Sequence, residues 1–310
     1  MLSIAVVTPT LNQGRFIERT VRSVLEQHSS LIEYVVCDGG STDDTLHILD
    51  GYADRLKLIS EPDRGQADAV NKGVRVTSGE IIGWLNSDDV YCSDAVSRVL
   101  EFMASRPELD VVYGDAQVID AHDRVLGAYY TEPWNPARLI ERCYLCQPAV
   151  FFRRRVIERF GVFDEQLHYC MDYEYWLRLA TGGAAFAYLP EMLAGSRLYP
   201  ETKTLSSRLA VHHELNTMLS QRLGRVPDNW LLSHAHTLVE LRRARHTPSS
   251  FVSHALPYAL EVVAQSAILS WRWNHALPRS LLTAALGPVT RGARSRLGQS
   301  RGAATTRPAS

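Results

Sequence analysis

The sequence predicts an α/β fold with a mostly parallel central sheet flanked by helices. Short apolar runs rich in β-branched residues alternate with segments of helical periodicity through the first third of the chain. Clusters of Gly, Asp, Asn and Pro follow each of the first four apolar runs. The length of 310 residues suits one large domain with an appendage. These observations indicate repeated strand–helix units with right-handed crossovers.

The alternation can be followed element by element. The first apolar run ends at Thr8-Pro9-Thr10, as a short buried strand does. The next segment carries Phe16, Val21 and Val24 at helical spacing, which predicts the first helix. By the same reasoning the predicted strands cover residues 2–7, 32–37, 56–60 and 81–85, and the predicted helices cover residues 16–27, 43–52, 67–76 and 93–103.

Composition and charge exclude several classes of protein. The hydrophobic fraction of 45% and the charged fraction of 22% are ordinary for a soluble globular chain. The formal net charge of -1 gives no indication of nucleic-acid binding. The opening MLSIAVVTPT lacks a basic n-region and predicts a first strand rather than a signal peptide. The sequence contains no run of about 18 apolar residues that would predict a membrane span.

The cysteines favour a reducing compartment. There are five, an odd number without the spacing of a disulfide framework. Cys143 and Cys146 form one CxxC pair, but no second ligand pair accompanies them in the sequence. We therefore interpret them as ordinary half-buried cysteines rather than a zinc or redox site.

Two adjacent carboxylates, Asp88 and Asp89, follow the fourth predicted strand in WLNSDDVY (84–91). Ligands of parallel α/β sheets bind beyond the carboxyl ends of the strands, where the four polar clusters converge. Mg²⁺ and Mn²⁺ prefer oxygen ligands and usually take one or two carboxylates plus substrate phosphates. The alternative is that the two acids cap the helix over 93–103. Because three other polar strand ends share this edge, we favour a divalent cation.

Eight segments, in this order along the chain, resemble family 2 glycosyltransferases. They are TPTLNQGRFIERTVRSVLEQ (8–27), CDGGSTDDT (37–45), EPDRGQADAVNKG (61–73), WLNSDD (84–89), QPAVFFRR (147–154), GVFDE (161–165), MDYEYWLRLA (171–180) and SRLYPETKT (196–204). The resemblance extends over about residues 3 to 210. It implies the nucleotide-diphospho-sugar-binding fold called GT-A and direct transfer with inversion.

The resemblance implies a role for each matching position. Pro9 lines the nucleotide pocket, Asp38 accepts a hydrogen bond from the base, and Asn86 and Asp88 take the places of the family's DxD carboxylates. Asn86 departs from that pattern because its amide brings no charge, so the cation relies on Asp88, Asp89 and the diphosphate. The implied metal ligands are Asp88 and Asp89, and the implied donor-binding residues are Thr8, Pro9, Asn12, Asp38, Gly39, Arg64, Asp68, Asn71, Asn86, Ser87, Gln147, Arg197 and Lys203.

Inverting transfer needs a carboxylate that takes the proton of the acceptor hydroxyl. The matching motif is MDYEYW (171–176), and Asp172 stands at its acidic position, so we predict Asp172 as the catalytic base. Glu174 lies two residues further on and cannot share a helix face with Asp172, because neighbours on a face are three or four apart. We interpret Glu174 as a structural or acceptor-side group. The alternative for Asp172 is that it only caps the helix that follows.

Two further segments near the predicted pocket have open interpretations. Gln147 begins a predicted strand over 147–152 and would touch the donor sugar or the acceptor, or else simply start a buried strand. Residues 197–204 resemble the family's late RxHxxSKT loop, in which Arg197 and Lys203 would suit a diphosphate. Tyr199 stands where histidine is common and Thr202 where serine is common, so a surface lid is the alternative.

The resemblance fades after residue 210. We predict a catalytic domain over 1–210, divided into a nucleotide-sugar half (1–115) and an acceptor half (116–210), then a helical extension over 211–297 and a disordered tail over 298–310. Residues 209–245 read as helical. The apolar segment 251–273 and the seven arginines that occur without any acid over 271–310 would suit a membrane interface. The alternative is a helix packed on the catalytic domain.

The sequence therefore predicts a hexosyltransferase. It would move a sugar from a nucleoside diphosphate donor, with UDP-hexose expected, to a saccharide or lipid-linked hydroxyl acceptor, with Mn²⁺ or Mg²⁺ as cofactor. We expect a cytoplasmic protein without a nucleic-acid partner, and peripheral contact with the inner membrane face is one of the two open interpretations of its C-terminal region. One alternative is a sugar nucleotidyltransferase, but TPTLNQGRF (8–16) lacks the glycine-rich basic signature that grips a triphosphate. Another is a non-catalytic sugar-nucleotide binder, against which Asp88 and Asp172 argue.

Overall fold

A computed structural model describes residues 2–28, 31–244 and 255–278. The chain divides into two compact units after Leu215. The first unit contains all nine strands described below, and the described part of the second unit is helical. The predicted disordered tail over 298–310 lies outside the described residues.

The first part of unit one is a parallel sheet with helical crossovers, as the sequence predicts. Its elements are β1 (Ile4–Thr10), α1 (Ile17–Leu25), β2 (Ile32–Asp38), α2 (Thr45–Asp50), β3 (Lys57–Ser60), α3 (Gln66–Arg75) and β4 (Ile81–Trp84). The strands lie in the order β3-β2-β1-β4, and all three pairs are parallel. β1 runs three residues past its predicted end because Pro9 and Thr10 stay in register with Cys37 and Asp38.

The second part of unit one adds antiparallel strands, so the complete sheet is mixed. Its elements are β5 (Val90–Tyr91), α4 (Ala95–Ala104), β6 (Val111–Ile119), β7 (Val125–Ala128), α5 (Pro136–Glu141), β8 (Val150–Arg153), α6 (Arg155–Phe160), α7 (Met171–Thr181), β9 (Phe186–Arg197) and α8 (Lys203–Ser206). The sheet continues β4-β8-β6-β9-β5, with β7 beside β6. β8 is antiparallel to both of its neighbours, whereas β6 and β9 are parallel.

The sheet forms because its first strands are apolar on both faces. Every residue of β1 and β4 is buried, as expected for central strands covered by helices on both sides. Helix α3 approaches β1 closely at Gly73, where an added Cβ would overlap Val7 Cγ1. This close approach fixes how near α3 lies to the sheet. The N-terminal residue of α3, Gln66, lines the same cavity as residues at the carboxyl ends of β1 and β4.

Two predicted elements differ from the structure. The strand predicted over 147–152 begins only at Val150, and a short 3-10 turn (Gln147–Ala149) precedes it. The reason is Pro148, which has no N–H to donate to a neighbouring strand. The helix predicted over 209–245 is broken into α9 (Arg208–Leu223) and α10 (Asp228–Ala244). Gly224 adopts a positive φ of 68° between them, and Pro227 precedes α10.

The second unit is built around α10 and α11 (Ala255–Asn274). Asn274, the last residue of α11, donates to the Val226 carbonyl over 2.8 Å and accepts from the Val226 amide over 2.7 Å. This side chain therefore joins the end of α11 to the turn before α10. Within the described ranges, none of the helices combines the length and apolar character that crossing a bilayer requires.

Candidate active site

A cavity of about 520 Å³ opens where the carboxyl ends of β1 and β4 meet the second half of the sheet. All its lining residues belong to the first unit. Its lining includes Asp172, Lys203 and the segment 86–89. The cavity lies where the sequence predicts it, because carboxyl ends of parallel strands converge on one edge.

Asn86 is held in one orientation by side chains that surround it. Its Oδ1 accepts from Trp84 Nε1 over 2.8 Å and from Gln66 Nε2 over 2.6 Å. Its Nδ2 donates to Gln147 Oε1 over 2.8 Å, and Gln147 in turn donates to the Trp84 carbonyl. Ser87 lies next to this cluster, buried in the lining, and its carbonyl accepts from Thr20 Oγ1. This part of the cavity is therefore rigid before any ligand enters.

The acidic pair is divided between two environments. Asp89 is 5% exposed, and its Oδ1 accepts from the Arg197 amide over 2.8 Å. Asp88 is half-buried, and its Oδ2 accepts from the Tyr199 hydroxyl over 3.0 Å. Burial raises the pKa of Asp88, and burial together with the charge of Asp88 raises the pKa of Asp89 well above its usual range. A cation or a donated proton beside Asp88 would relieve this repulsion.

Neither acid is a helix cap, so that alternative is wrong. The cap position of α4 is held by Asp94, and strand β5 lies between the acidic pair and that helix. The pairing of β5 with β9 fixes the two acids against the segment that carries Arg197.

The two cations of the late loop have different surroundings. The Arg197 guanidinium is buried and donates to three acceptors, which are the carbonyls of Asp88 and Asp120 and the carboxylate of Asp123. These bonds hold the guanidinium against the loop backbone. Arg197 and Lys203 both line the cavity, and Lys203 Nζ donates to Gln66 Oε1 over 2.8 Å. Burial lowers the pKa of Lys203.

The loops after β1 and β2 hold one another. Asp38 is buried, and its carboxylate accepts from Ser60 Oγ over 2.8 Å and from the amides of Gly40 and Ser41. Asn12 has a positive φ of 53° and accepts from the Thr42 amide over 2.8 Å. Asp38 and Asn12 are absent from the cavity lining and shape the loops behind it.

Of the other residues predicted on the first two strands, only Pro9 lines the cavity. Thr8 is fully buried, and its hydroxyl lies 3.2 Å from the Tyr34 hydroxyl. Gly39 packs against the Asp63 carboxylate, where an added Cβ would clash. Thr10 also lines the cavity, although it is not among the residues predicted from the sequence. Its hydroxyl oxygen is buried and has no hydrogen-bond partner among the described residues.

Arg64, Asp68 and Asn71, which lie in α3 or just before it, contact a neighbouring segment and do not line the cavity. Asn71 is fully buried, accepts from the Phe163 amide over 3.0 Å and donates to the Phe163 carbonyl over 2.9 Å. Arg64 is exposed and pairs with Asp68 and Glu165. These bonds tie the segment 161–165 to α3.

Asp172 lies in the first turn of α7, half-buried in the cavity wall. The cap position belongs to Cys170, so the interpretation of Asp172 as the cap is wrong. Burial raises the pKa of Asp172, which is the direction that suits a general base. Glu174 is 1% exposed and forms an ion pair with Arg178 at 2.9 Å, so it faces the core and not the cavity.

The fit of a divalent cation can be judged from the oxygen donors. Within residues 2–28, 31–244 and 255–278 no cluster of three or more His, Cys, Asp or Glu side chains could hold a metal. Asp88 offers a half-buried carboxylate to the cavity, whereas the Asp89 carboxylate is used by a backbone amide. This donor set fits a cation that arrives with a phosphate ligand, as Mg²⁺ commonly does.

Comparisons with known proteins agree on one family. The family model described as Glycosyl transferase family 2 matches residues 5–161. A PGL/p-HBAD biosynthesis glycosyltransferase of Mycobacterium bovis is 29% identical over 226 residues, which cover 71% of this chain and 86% of the relative. Chondroitin synthase of Escherichia coli is 32% identical over 227 residues, which cover 71% of this chain but 33% of the relative.

Solved structures share the fold. S. aureus TarS 1–349, in complex with UDP-GlcNAc, has a TM-score of 0.59 at 16% identity and covers 87% of this chain and 82% of its own. The mannosyltransferase PcManGT of Pyrobaculum calidifontis, in complex with GDP-Man and Mn²⁺, has a TM-score of 0.52 at 19% identity. The match covers 92% of this chain and 79% of the mannosyltransferase chain. At these identities the likeness is one of fold, and it confirms the predicted GT-A architecture.

Proposed function

The chain belongs to glycosyl transferase family 2, and from that premise we propose that it transfers a hexose from a nucleoside diphosphate sugar to a hydroxyl acceptor with inversion. The observation that carries the proposal is the sharing of one cavity by Asp172, Asp88 and Lys203. The cavity is lined by Asp172, whose pKa is raised, and by Asp88 and Lys203, which suit a cation and a diphosphate.

The chemistry assigns a role to each of these groups. Asp172 takes the proton of the acceptor hydroxyl as that oxygen attacks the anomeric carbon from the face opposite the diphosphate. The bond from the anomeric carbon to the diphosphate oxygen breaks, and the diphosphate leaves with the electron pair. Lys203 stabilises the charge that develops on the leaving group. A divalent cation, when bound with the donor, supplies further neutralisation, and Asp88 is the residue that would hold it.

The other predicted residues support this site. Asp89 positions the late loop through the Arg197 amide, and Arg197 holds that loop through its three acceptors. Asn86 and Gln147 present a rigid polar surface to the sugar. Thr10 contributes to the wall of the cavity. The proposed metal ligand is therefore Asp88, with Asp89 as its support.

The donor and acceptor are proposed by chemical class. TarS was solved with UDP-GlcNAc and the mannosyltransferase with GDP-Man, so nucleoside diphosphate sugars are the donors to test, with UDP-hexose first. The relatives named for PGL/p-HBAD biosynthesis and for chondroitin synthesis suggest a glycolipid or polysaccharide acceptor. A non-catalytic binder remains the competing function, and it predicts nucleotide binding without turnover.

Calorimetric titration of UDP, GDP and TDP, each with Mn²⁺ and with EDTA, tests the donor site. We expect one nucleotide to bind preferentially and Mn²⁺ to strengthen it in the wild type but not in Asp88→Asn. Asp54→Asn, the same change at an exposed turn, serves as the control. Absence of binding by all three nucleotides would contradict the proposed function. Unchanged metal dependence in Asp88→Asn would contradict the role of Asp88.

We also propose that α11 lies on an anionic lipid surface. One stripe of this helix is apolar and exposed, and it includes Leu260 and Trp271, each 62% exposed, with Val263 and Ile268 between them. The opposite face, with Val262 and Leu269, is buried. The sequence after the stripe contains seven arginines and no acid over 271–310, which complements anionic headgroups.

Sedimentation with vesicles of phosphatidylglycerol and phosphatidylcholine tests this contact at the inner face of a membrane. The full chain should sediment, and the double variant Leu260→Gln, Trp271→Gln should remain in the supernatant. Vesicles of phosphatidylcholine alone should bind less, because the arginines then lack anionic partners. Equal sedimentation of wild type and variant would contradict the proposal, and a concentration-dependent dimer lost in the variant would point to a second copy as the occupant.

A further inference from the structure

The segment that leads into the catalytic helix has no regular structure of its own. Residues 166–170 precede α7 without forming a helix or strand. Cys170, in the cap position, provides no side-chain hydrogen bond to the helix. His168, Tyr169 and Asp172 nevertheless line the cavity, so this irregular segment must be held in place by another element.

Glu214, from α9, meets three consecutive amides of that segment. Its Oε1 accepts from Tyr169 N over 2.7 Å and from Cys170 N over 2.9 Å. Its Oε2 accepts from His168 N over 2.9 Å. The carboxylate thus lies at the N-terminal end of α7, the positive end of the helix dipole.

The same segment contacts the donor side of the cavity. Lys203 Nζ donates to the His168 carbonyl over 3.3 Å, so the peptide held by Glu214 also holds the lysine that we assign to the diphosphate. One carboxylate therefore fixes backbone that reaches both Asp172 and Lys203.

We propose that Glu214 is a positioning residue for the catalytic base, a role that the family motifs do not assign and that rests on the proposed function of Asp172. It acts in two ways. Its hydrogen bonds fix the backbone two residues before Asp172, and its negative charge disfavours ionisation of Asp172, keeping the base strong.

The charges around Asp172 support the second effect. Burial is the main cause of the raised pKa of Asp172, and the charge of Glu214 adds to it. Asp88, Asp89, Arg197 and Lys203 also line the cavity that Asp172 faces. Four further titratable groups interact electrostatically with Asp172 and are neutral at pH 7, because burial raises the pKa of each. They are Tyr129, Cys143, Cys146 and Cys170.

Two measurements on Glu214→Gln and Glu214→Ala test the proposal. The first is amide hydrogen exchange in the full chain, resolved by residue. Gln keeps one acceptor oxygen, so exchange should rise mainly at His168, whereas Ala should speed exchange at residues 168–170 by about ten-fold or more. The second is the pH dependence of kcat/KM for donor turnover, whose acidic limb should move to lower pH in Glu214→Gln. The same neutralisation at an exposed site, Glu158→Gln, is the control.

The outcomes separate this proposal from the proposed function. Unchanged exchange at residues 168–170 in Glu214→Ala would overturn it regardless of turnover. Faster exchange with an unmoved acidic limb would overturn the action on the base and leave a purely structural residue. If the wild type turned over no nucleotide sugar while exchange responded as expected, the proposed function would fail and the anchoring of this segment by Glu214 would stand.

Discussion

The Tyr199 hydroxyl donates to Asp88 Oδ2 across 3.0 Å, so a phenol stands against the carboxylate that we assign to the cation. The Tyr199 ring packs against Phe16, with ring centroids 4.8 Å apart, and this contact orients the hydroxyl. The hydrogen bond lowers the pKa of Asp88 and so opposes the larger effect of burial. The Tyr199 hydroxyl thus stabilises the ionised carboxylate of Asp88, as a bound cation would. A cation that binds this carboxylate must compete with the hydroxyl.

Tyr199→Phe is therefore expected to strengthen cation binding. Removing one hydrogen bond worth about 0.5–1.5 kcal/mol frees the Asp88 carboxylate, so Mn²⁺ should bind about three- to ten-fold more tightly in the presence of the nucleotide. Calorimetric titration of Mn²⁺ into the nucleotide complex measures this change. Tyr130→Phe removes a comparable bond, to Glu132, outside the cavity and should have no effect. Weaker Mn²⁺ binding in Tyr199→Phe would mean that the phenol assists the cation.

Asp172→Asn should stabilise the protein while it abolishes transfer. Because the folded pKa of Asp172 lies above its unfolded value, the native state binds more protons, and stability falls as pH rises through that folded pKa. Thermal unfolding should give Asp172→Asn a higher Tm than the wild type at pH 8, with the difference shrinking towards pH 4. A Tm below that of the wild type at pH 8 would show that the ionised carboxylate has a stabilising partner.

Arg197 and Lys203 should respond differently to substitution. Lys203→Met removes a cation from the cavity wall and should weaken nucleotide diphosphate binding about ten-fold, with little change in Tm. Arg197→Lys loses bonds to buried acceptors and should lower the free energy of unfolding by about 2 kcal/mol. Titration calorimetry and urea unfolding measure the two effects. Lys57→Met, on the edge strand β3, is the control for Lys203. The reverse pattern would place Arg197 on the diphosphate.

Asn71→Ala should act on stability rather than on donor affinity. The substitution leaves the buried amide and carbonyl of Phe163 without their partner, at a cost of about 2–4 kcal/mol in the free energy of unfolding. Asn135→Ala, which removes the exposed N-cap of α5, should cost only about 1 kcal/mol. Urea unfolding compares the two. Equal costs would mean that the site at Phe163 relaxes or admits water.

The first half of the fold could be predicted because each of its elements has a strong local signal. The apolar runs at β1 and β4 and the periodic spacing of α1 indicate their structures without tertiary information. The β6–β9 pair is different, since it joins strands distant in sequence and contains register shifts at Asp115 that no local pattern encodes. The break between α9 and α10 differs from the single helix predicted over 209–245, although a glycine such as Gly224 often ends a helix and a proline such as Pro227 often begins one.

The candidate site could be predicted in position but only partly in detail. Strand ends locate the cavity, and motif matching selects Asp88, Asp172 and Lys203, all of which line it. The direction in which a side chain points depends on its tertiary neighbours. Thr8, for example, lies next to the lining residue Pro9, but its hydroxyl contacts the Tyr34 hydroxyl in the core instead of the cavity. Glu214 could not have been found, because nothing in its sequence surroundings indicates that it meets amides some 45 residues earlier.

The most direct test of the account is proton NMR of donor turnover, which follows the anomeric signals of an α-linked nucleotide hexose and of its product. The account predicts that the β-linked product, or the β anomer of the free sugar when water is the acceptor, appears first. It also predicts that Asp172→Asn slows this step by about 10²- to 10⁴-fold while nucleotide binding persists. An α-configured first product, or undiminished turnover in Asp172→Asn, would contradict inversion with Asp172 as the base.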